Sequence, residues 1–243
     1  MLYIYLCAFK SYTYLKEACV CIQSIRNYHY YGKIYLFTDL DVDKIDHLGN
    51  VEVIQVPCEN IQLSAAYRLK IFDNLPLDQF NKEEDILLYL DTDILLVNKL
   101  PSFQYINHQI HTYGYPSRKQ QEPSFCGLLT KDPFFTQKES TCTGILLFRP
   151  SEKVKEVFDE AYNYYVKLVS ENKVSSCWEQ PTLCYYLIFF EMHNNSLNDI
   201  VHEQRTNKPI PNNAVFNHFC GLRGSNRFNQ MKNSLQQKND MNN

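Results

Sequence analysis

Apolar positions along the chain follow two rhythms. Residues 2–9, Lys33 to Asp39, Val51 to Pro57 and Asp85 to Asp91 are short runs, mostly bounded by Gly, Asp or Pro, that read as strands. Thr141 to Phe148 reads the same way, with Gly144 near its start. Between these runs Leu15, Ala18, Ile22 and Ile25 recur at helical spacing, as do Tyr67, Ile71 and Leu75 within Leu63 to Leu75. Pro150-Ser151 introduces an amphipathic helix carrying Val154, Val157, Phe158, Ala161, Tyr165 and Leu168. Glu179-Gln180-Pro181 opens another, whose apolar body implies deep burial. Asp41 to Asn50 is too polar for more than a short turn of helix. From about 101 to 140 the periodicity is lost among Pro101, Pro116, Pro123 and Pro133, a stretch that reads as a binding loop or a surface excursion. Beyond Asn194 it fades again, except at Ala214 to Gly221. Alternating strands and helices predict an α/β fold.

One run stands out. Asp85-Ile86-Leu87-Leu88-Tyr89-Leu90 is nearly continuous in apolar residues, as in a strand covered on both faces, and then delivers Asp91-Thr92-Asp93. Ligands of open α/β sheets bind beyond the carboxyl ends of strands, where these acids would lie. Two oxygen donors there suit Mg²⁺ or Mn²⁺ bridging to substrate phosphates. The competing reading is a solvated turn whose aspartates bond nearby backbone N–H groups. Apolar residues on both sides of the pair, Leu90 before it and Ile94-Leu95-Leu96-Val97 after it, favour the site.

Apolar types at 44% of 243 residues allow one large domain with a substantial core. A formal charge of −3 and the lack of a Lys/Arg block argue against a nucleic-acid binder. The nine cysteines are an odd number without Cys-x-x-Cys pairs, and several lie in apolar stretches, as buried thiols would in a reducing, cytoplasmic setting. The apolar start, Met1 to Phe9, is too short for a signal peptide or membrane span. The Asn/Gln/Lys-rich residues 229–243 read as a disordered or poorly packed polar tail after a domain of residues 1–228.

These pieces, in their order, resemble glycosyltransferases of the GT-A fold, and among them family 8, the glycogenin and lipopolysaccharide galactosyltransferase group. The resemblance spans about residues 1–225 and rests on Tyr67-Arg68-Leu69-Lys70, on Leu88-Tyr89-Leu90-Asp91-Thr92-Asp93-Ile94-Leu95, on Thr143-Gly144-Ile145-Leu146-Leu147 with Pro150-Ser151, on Glu179-Gln180 and on His218-Phe219-Cys220-Gly221. It implies a single GT-A domain, with a mixed, mostly parallel sheet flanked by helices. It implies a UDP-sugar donor, Mn²⁺ (or Mg²⁺), and transfer of a hexose, with retention, to a hydroxyl of a glycan, a protein or a lipid-linked sugar. Oligomeric state stays open, a homodimer included.

On that model Asp91, Asp93 and His218 ligate the metal, although a histidine in an apolar context is otherwise a hydrogen-bonded core residue. The resemblance puts Tyr14 at the uridine, an ordinary partly buried tyrosine being the alternative, with backbone groups of Ala8 and Phe9 at the base and Thr92, Gly221 and Arg68 among the other donor contacts. Arg68 or Lys70 would add charge stabilisation, with solvent exposure the alternative for Lys70. Gln180 would orient donor and acceptor, and Glu179 would hold sugar hydroxyls or place its charge at the helix's positive end. The chain departs from the family at Ser11-Tyr12-Thr13, at Cys142 and at Gly224; Arg223 would take over the phosphate contact expected at the last of these.

Two other readings remain. A haloacid dehalogenase-type phosphatase also carries Asp-x-Asp at a strand end, but on its first strand and with Gly-rich turns. A glycosyltransferase fold that has lost turnover and serves as a binding or scaffold protein would account for the departures, yet has no need of metal ligands.

Overall fold

The computed structural model describes residues 1–42, 50–104, 106–204, 209–222 and 224–242, with the backbone alone at 116, 117 and 238–242. In chain order the strands are β1 (Leu2–Ala8), β2 (Ile34–Thr38), β3 (Val51–Gln55), β4 (Ile86–Leu90), β5 (Ile94–Leu96), β6 (Ile110–Lys119), β7 (Glu139–Phe148), β8 (His193–Asn194), β9 (Val201–Glu203) and β10 (Phe216–His218). The α-helices are α1 (Tyr12–Asn27), α2 (Ile61–Ala66), α3 (Ile71–Asn74), α4 (Pro133–Thr136), α5 (Glu152–Ser170), α6 (Gln180–Phe189) and α7 (Gly224–Asn242). The fold is α/β, with a mixed, mostly parallel sheet flanked by helices. The expected helix between Leu63 and Leu75 is broken into α2, a 3-10 turn at Tyr67–Lys70 and α3. The turn expected between Asp41 and Asn50 lies largely outside the described residues.

Contacts gather into two compact units, each built from several chain segments. The N-terminal unit comprises Ile4–Pro57, Leu90–Ser102 and Asp199–Asn243. In it β1, β2 and β3 run parallel, with Ile4 opposite Ile34 and Ile34 opposite Val51. Helix α1 starts at Ser11, whose hydroxyl accepts from the Thr13 N–H, and buries Leu15, Ala18, Cys21, Ile22 and Ile25. A second sheet sets β10 antiparallel to β5 and parallel to β9. Ser24 of α1 accepts from the Leu96 N–H at 2.9 Å, which ties this small sheet to the helix.

Residues 229–243, expected as a loose polar tail, belong to α7 as far as Asn242. Met231 is fully buried against Leu95, Val97, Ala214 and Phe219, with Val20 and Leu222 beside it. Hydropathy misreads this stretch because one methionine carries much of its docking among Asn and Gln, and a single anchor leaves no period to detect.

The central unit comprises Met1–Tyr3, Cys58–Tyr89 and Phe103–Asn198. Its strands are ordered β4-β7-β6-β8, with β6 antiparallel to β7 and parallel to β8. Strand β6 occupies part of the stretch expected to be irregular. Its register against β7 shifts twice, and the Gly114 N–H donates to the Asn198 side chain at 2.7 Å, so polar side chains replace part of the ladder and the period of two disappears. Ser151 caps α5, accepting from the Val154 N–H at 3.2 Å, and the buried face of α5 consists of the six residues expected from the sequence. Pro181 sits in the first turn of α6, where its missing N–H costs nothing.

Candidate metal centre

Strand β4 is buried along its length, as its sequence requires. The chain leaves it at Leu90 and turns through Asp91-Thr92-Asp93, the Ile94 N–H donating to the Asp91 carbonyl at 3.3 Å, before β5 begins. Because β5 pairs antiparallel with β10, Ile94 stands opposite His218, and the Phe219 N–H donates to the Asp93 carbonyl at 3.0 Å. That register brings an imidazole from late in the chain against the acid pair. One ligand atom from each of Asp91, Asp93 and His218 can be chosen so that all lie within 4.8 Å of one another.

Asp93 and His218 are both buried, and Asp91 is partly exposed. Asp93 Oδ1 lies 3.2 Å from His218 Nε2. Yet Oδ1 is buried and accepts no hydrogen bond. Two ligands at adjacent corners of an octahedron with bonds of about 2.1 Å stand about 3 Å apart. The 3.2 Å contact is that of an ion pair, and its spacing is also the one that two donors to a single cation would have. Two carboxylates would suit Mn²⁺ or Mg²⁺, and the imidazole nitrogen would be accepted more readily by Mn²⁺ than by the oxygen-seeking Mg²⁺.

Asp93 Oδ2 is engaged differently. It accepts from Arg227 Nη1 of α7 at 2.8 Å, and Arg227 donates through Nε and Nη2 to the two oxygens of Glu17 at 2.8 and 2.7 Å. Glu17 is completely buried on α1 and also accepts from the Thr92 hydroxyl at 3.4 Å. Two buried carboxylates thus share one guanidinium. Burial works to raise the Asp93 pKa, but the proximity of His218 and Arg227 outweighs it and brings the carboxyl down to about 2. Burial dominates at Glu17 and lifts its pKa despite Arg227. At Arg227, burial works against the charge, but Asp93 and Glu17 prevail and raise the pKa. Burial, with the charges of Asp93 and Asp91, pushes the nearby Cys21 thiol well up, so it stays protonated.

The other residues indicated by the sequence fall into two places. In the N-terminal unit, the Ala8 carbonyl accepts from the Thr38 hydroxyl at 2.6 Å and the Phe9 carbonyl from the Ser11 N–H at 2.8 Å, so both backbone oxygens already have partners. Tyr14 is half-buried with its ring centre 5.7 Å from the Arg227 guanidinium. Gly221 turns the chain after β10 at φ +84°, a left-handed conformation that costs glycine nothing. Arg223 lies outside the described residues.

In the central unit, Arg68 and Glu179 form a buried ion pair. Arg68 also donates to the carbonyl and the hydroxyl of Thr143, both at 2.6 Å, and its guanidinium lies 5.1 Å from the centre of the Tyr89 ring. Gln180 accepts from the Thr143 N–H at 3.2 Å and donates to the Ser124 carbonyl at 2.9 Å. Lys70 stands apart from this group, paired with Asp73 and 4.8 Å from the centre of the Tyr162 ring.

Sequence reasoning passed over Glu17 and Arg227. Glu17, Cys21 and Ser24 form a stripe at i, i+4 and i+7 beside the apolar face of α1, and an acid on such a stripe was a usable signal. Arg227, in a run of polar residues, offered none. No protein-family model matches the chain, and no curated protein matches it.

Proposed function

We propose that the protein is a metal-dependent glycosyltransferase that moves a hexose from a UDP-sugar to a hydroxyl acceptor, with Asp91, Asp93 and His218 as the protein ligands of Mn²⁺ or Mg²⁺. The observation that carries this reading is the buried Asp93 Oδ1, without a hydrogen bond and 3.2 Å from His218 Nε2, at the end of a fully buried strand. A divalent cation bound there would offset the negative charge that grows on a departing diphosphate.

The chain's own groups do the rest. His218 would bind the cation through a neutral ring nitrogen, and the Arg227 guanidinium on Oδ2 would keep Asp93 ionised beside it. Gln180 has no basic atom and Glu179 is held by Arg68, so neither takes the acceptor's proton. That proton passes to the phosphate oxygen freed as the bond from the anomeric carbon to UDP breaks and the bond to the acceptor oxygen forms, a course compatible with retention. Arg68 and Glu179 act in this reading as the frame that holds Thr143 and Gln180. Among the described residues no helix is long and apolar enough to cross a membrane. None of the nine cysteines is in a disulfide and five are buried, which supports a reducing, cytoplasmic setting.

The test is release of UDP from a panel of UDP-sugars with Mn²⁺, comparing the wild type with Asp93→Asn. Equal release by the two proteins overturns the proposal. The buried Arg68–Glu179 pair, which ties up two of the charged groups expected at the chemistry, favours one second reading, a fold that binds a nucleotide-sugar without turning it over. Calorimetric UDP binding with no product from any donor decides for that reading.

A further inference from the structure

Asp93 uses its two oxygens for different purposes. Oδ2 receives a charge-assisted hydrogen bond from Arg227 Nη1 at 2.8 Å, and Oδ1 is left towards His218. The arginine is itself clamped. Nε and Nη2 fork onto Glu17, whose carboxylate is completely buried, and the Tyr14 ring lies over the guanidinium. To swing Oδ2 onto a cation, Asp93 would have to abandon this bond inside the protein and bring a dication close to a fixed positive charge.

We propose that Arg227 is a positioning residue that confines Asp93 to ligation through one oxygen, and that it thereby sets the centre's preference for Mn²⁺ or Mg²⁺ over Ca²⁺. This rests on the metal-site reading above. The chemistry follows from coordination habit. Mg²⁺ takes six ligands in a tight octahedron with single-oxygen carboxylates, and Mn²⁺ favours the same six-coordinate geometry; Ca²⁺ takes six to eight at longer distances and gains from carboxylates that chelate with both oxygens. Glu17 serves the same end at one remove, since its two oxygens fix the plane of the guanidinium. A lysine has one ammonium in place of the planar fork and cannot reproduce that clamp.

The experiment uses the full chain, stripped of metal by chelation and titrated with MnCl₂ and with CaCl₂ in separate calorimetric runs. Free Mn²⁺ is followed in parallel by electron paramagnetic resonance. The proteins are the wild type, Arg227→Gln, Arg227→Lys and Glu17→Gln, each checked for folding by its thermal transition. The wild type is expected to bind Mn²⁺ at least about tenfold tighter than Ca²⁺. In Arg227→Gln that ratio should shrink about tenfold, mainly through tighter Ca²⁺ binding, with Arg227→Lys and Glu17→Gln in between. A merely structural role would weaken both ions together and leave the ratio unmoved, which overturns the proposal while the metal site stands. No Mn²⁺ binding by the wild type overturns both. If Arg227→Gln does not fold, the ratio in Glu17→Gln and Arg227→Lys decides.

Discussion

Arg68 and Glu179 form an ion pair almost wholly withdrawn from solvent, their side chains 5% and 3% exposed. Such a pair is poor evidence of stability gained, because the desolvation of both charges offsets their attraction. Removing one partner is a different matter, since the other charge is left buried alone. Glu179→Ala is expected to cost about 3–5 kcal/mol in urea unfolding, and the double change Arg68→Met, Glu179→Leu should restore most of it. If the single change costs under about 1 kcal/mol, the value of an exposed pair, the interaction is not the buried one described.

Metal binding should appear in stability before it appears in turnover. At a free Mn²⁺ concentration one hundred times its dissociation constant, the native state gains about 2.7 kcal/mol, and the thermal midpoint rises accordingly. EDTA should reverse the rise, and Asp93→Asn and His218→Ala should abolish it. A rise of equal size in those variants would place the ion elsewhere.

Acid should destabilise the protein earlier than its carboxylates alone require. His111 and His193 are held neutral by burial, which lowers the pKa of each ring in the native state. An unfolded histidine protonates near 6.5, so below that value the unfolded chain binds protons that the native one refuses. The stabilisation is complete above about pH 6.5, declines as pH falls below it, and levels off only when the native rings titrate. Unfolding free energies measured from pH 7.5 to 5 should fall in the wild type and fall less steeply in His193→Gln. Parallel slopes would show that burial of His193 does not govern this dependence.

The C-terminal helix should matter to the N-terminal unit. Met231 is completely buried in the cluster with Leu95, Val97, Ala214 and Phe219. Met231→Ala is expected to cost about 2–5 kcal/mol, and a chain ending at residue 228, which loses Met231 as well, should be at least as unstable. Truncation without change in the unfolding midpoint would mean that this helix is not docked.

The physical basis of what was readable lies in range. Ile86 to Leu90 declares a buried strand because five consecutive apolar residues have no polar face to turn to water, and α5 declares its face because Val154, Val157, Phe158, Ala161, Tyr165 and Leu168 repeat at the period of the helix itself. The acids that follow β4 were legible as candidate ligands for the same local reason, an abrupt pair of charges next to buried residues. The strand Ile110–Lys119 was not legible, since its register shifts and its polar partners arise from β7 and from residues 194–198.

The chain by itself thus determined the α/β alternation, most of the buried faces and the acid pair, all properties of neighbours within a few turns of backbone. Only the tertiary structure decided that His218 stands against Asp93 and that Arg227, held by Glu17, donates to the other oxygen of that carboxylate. Those contacts join positions as far as 210 residues apart, and their placement depends on strand register and helix docking, which no local pattern encodes.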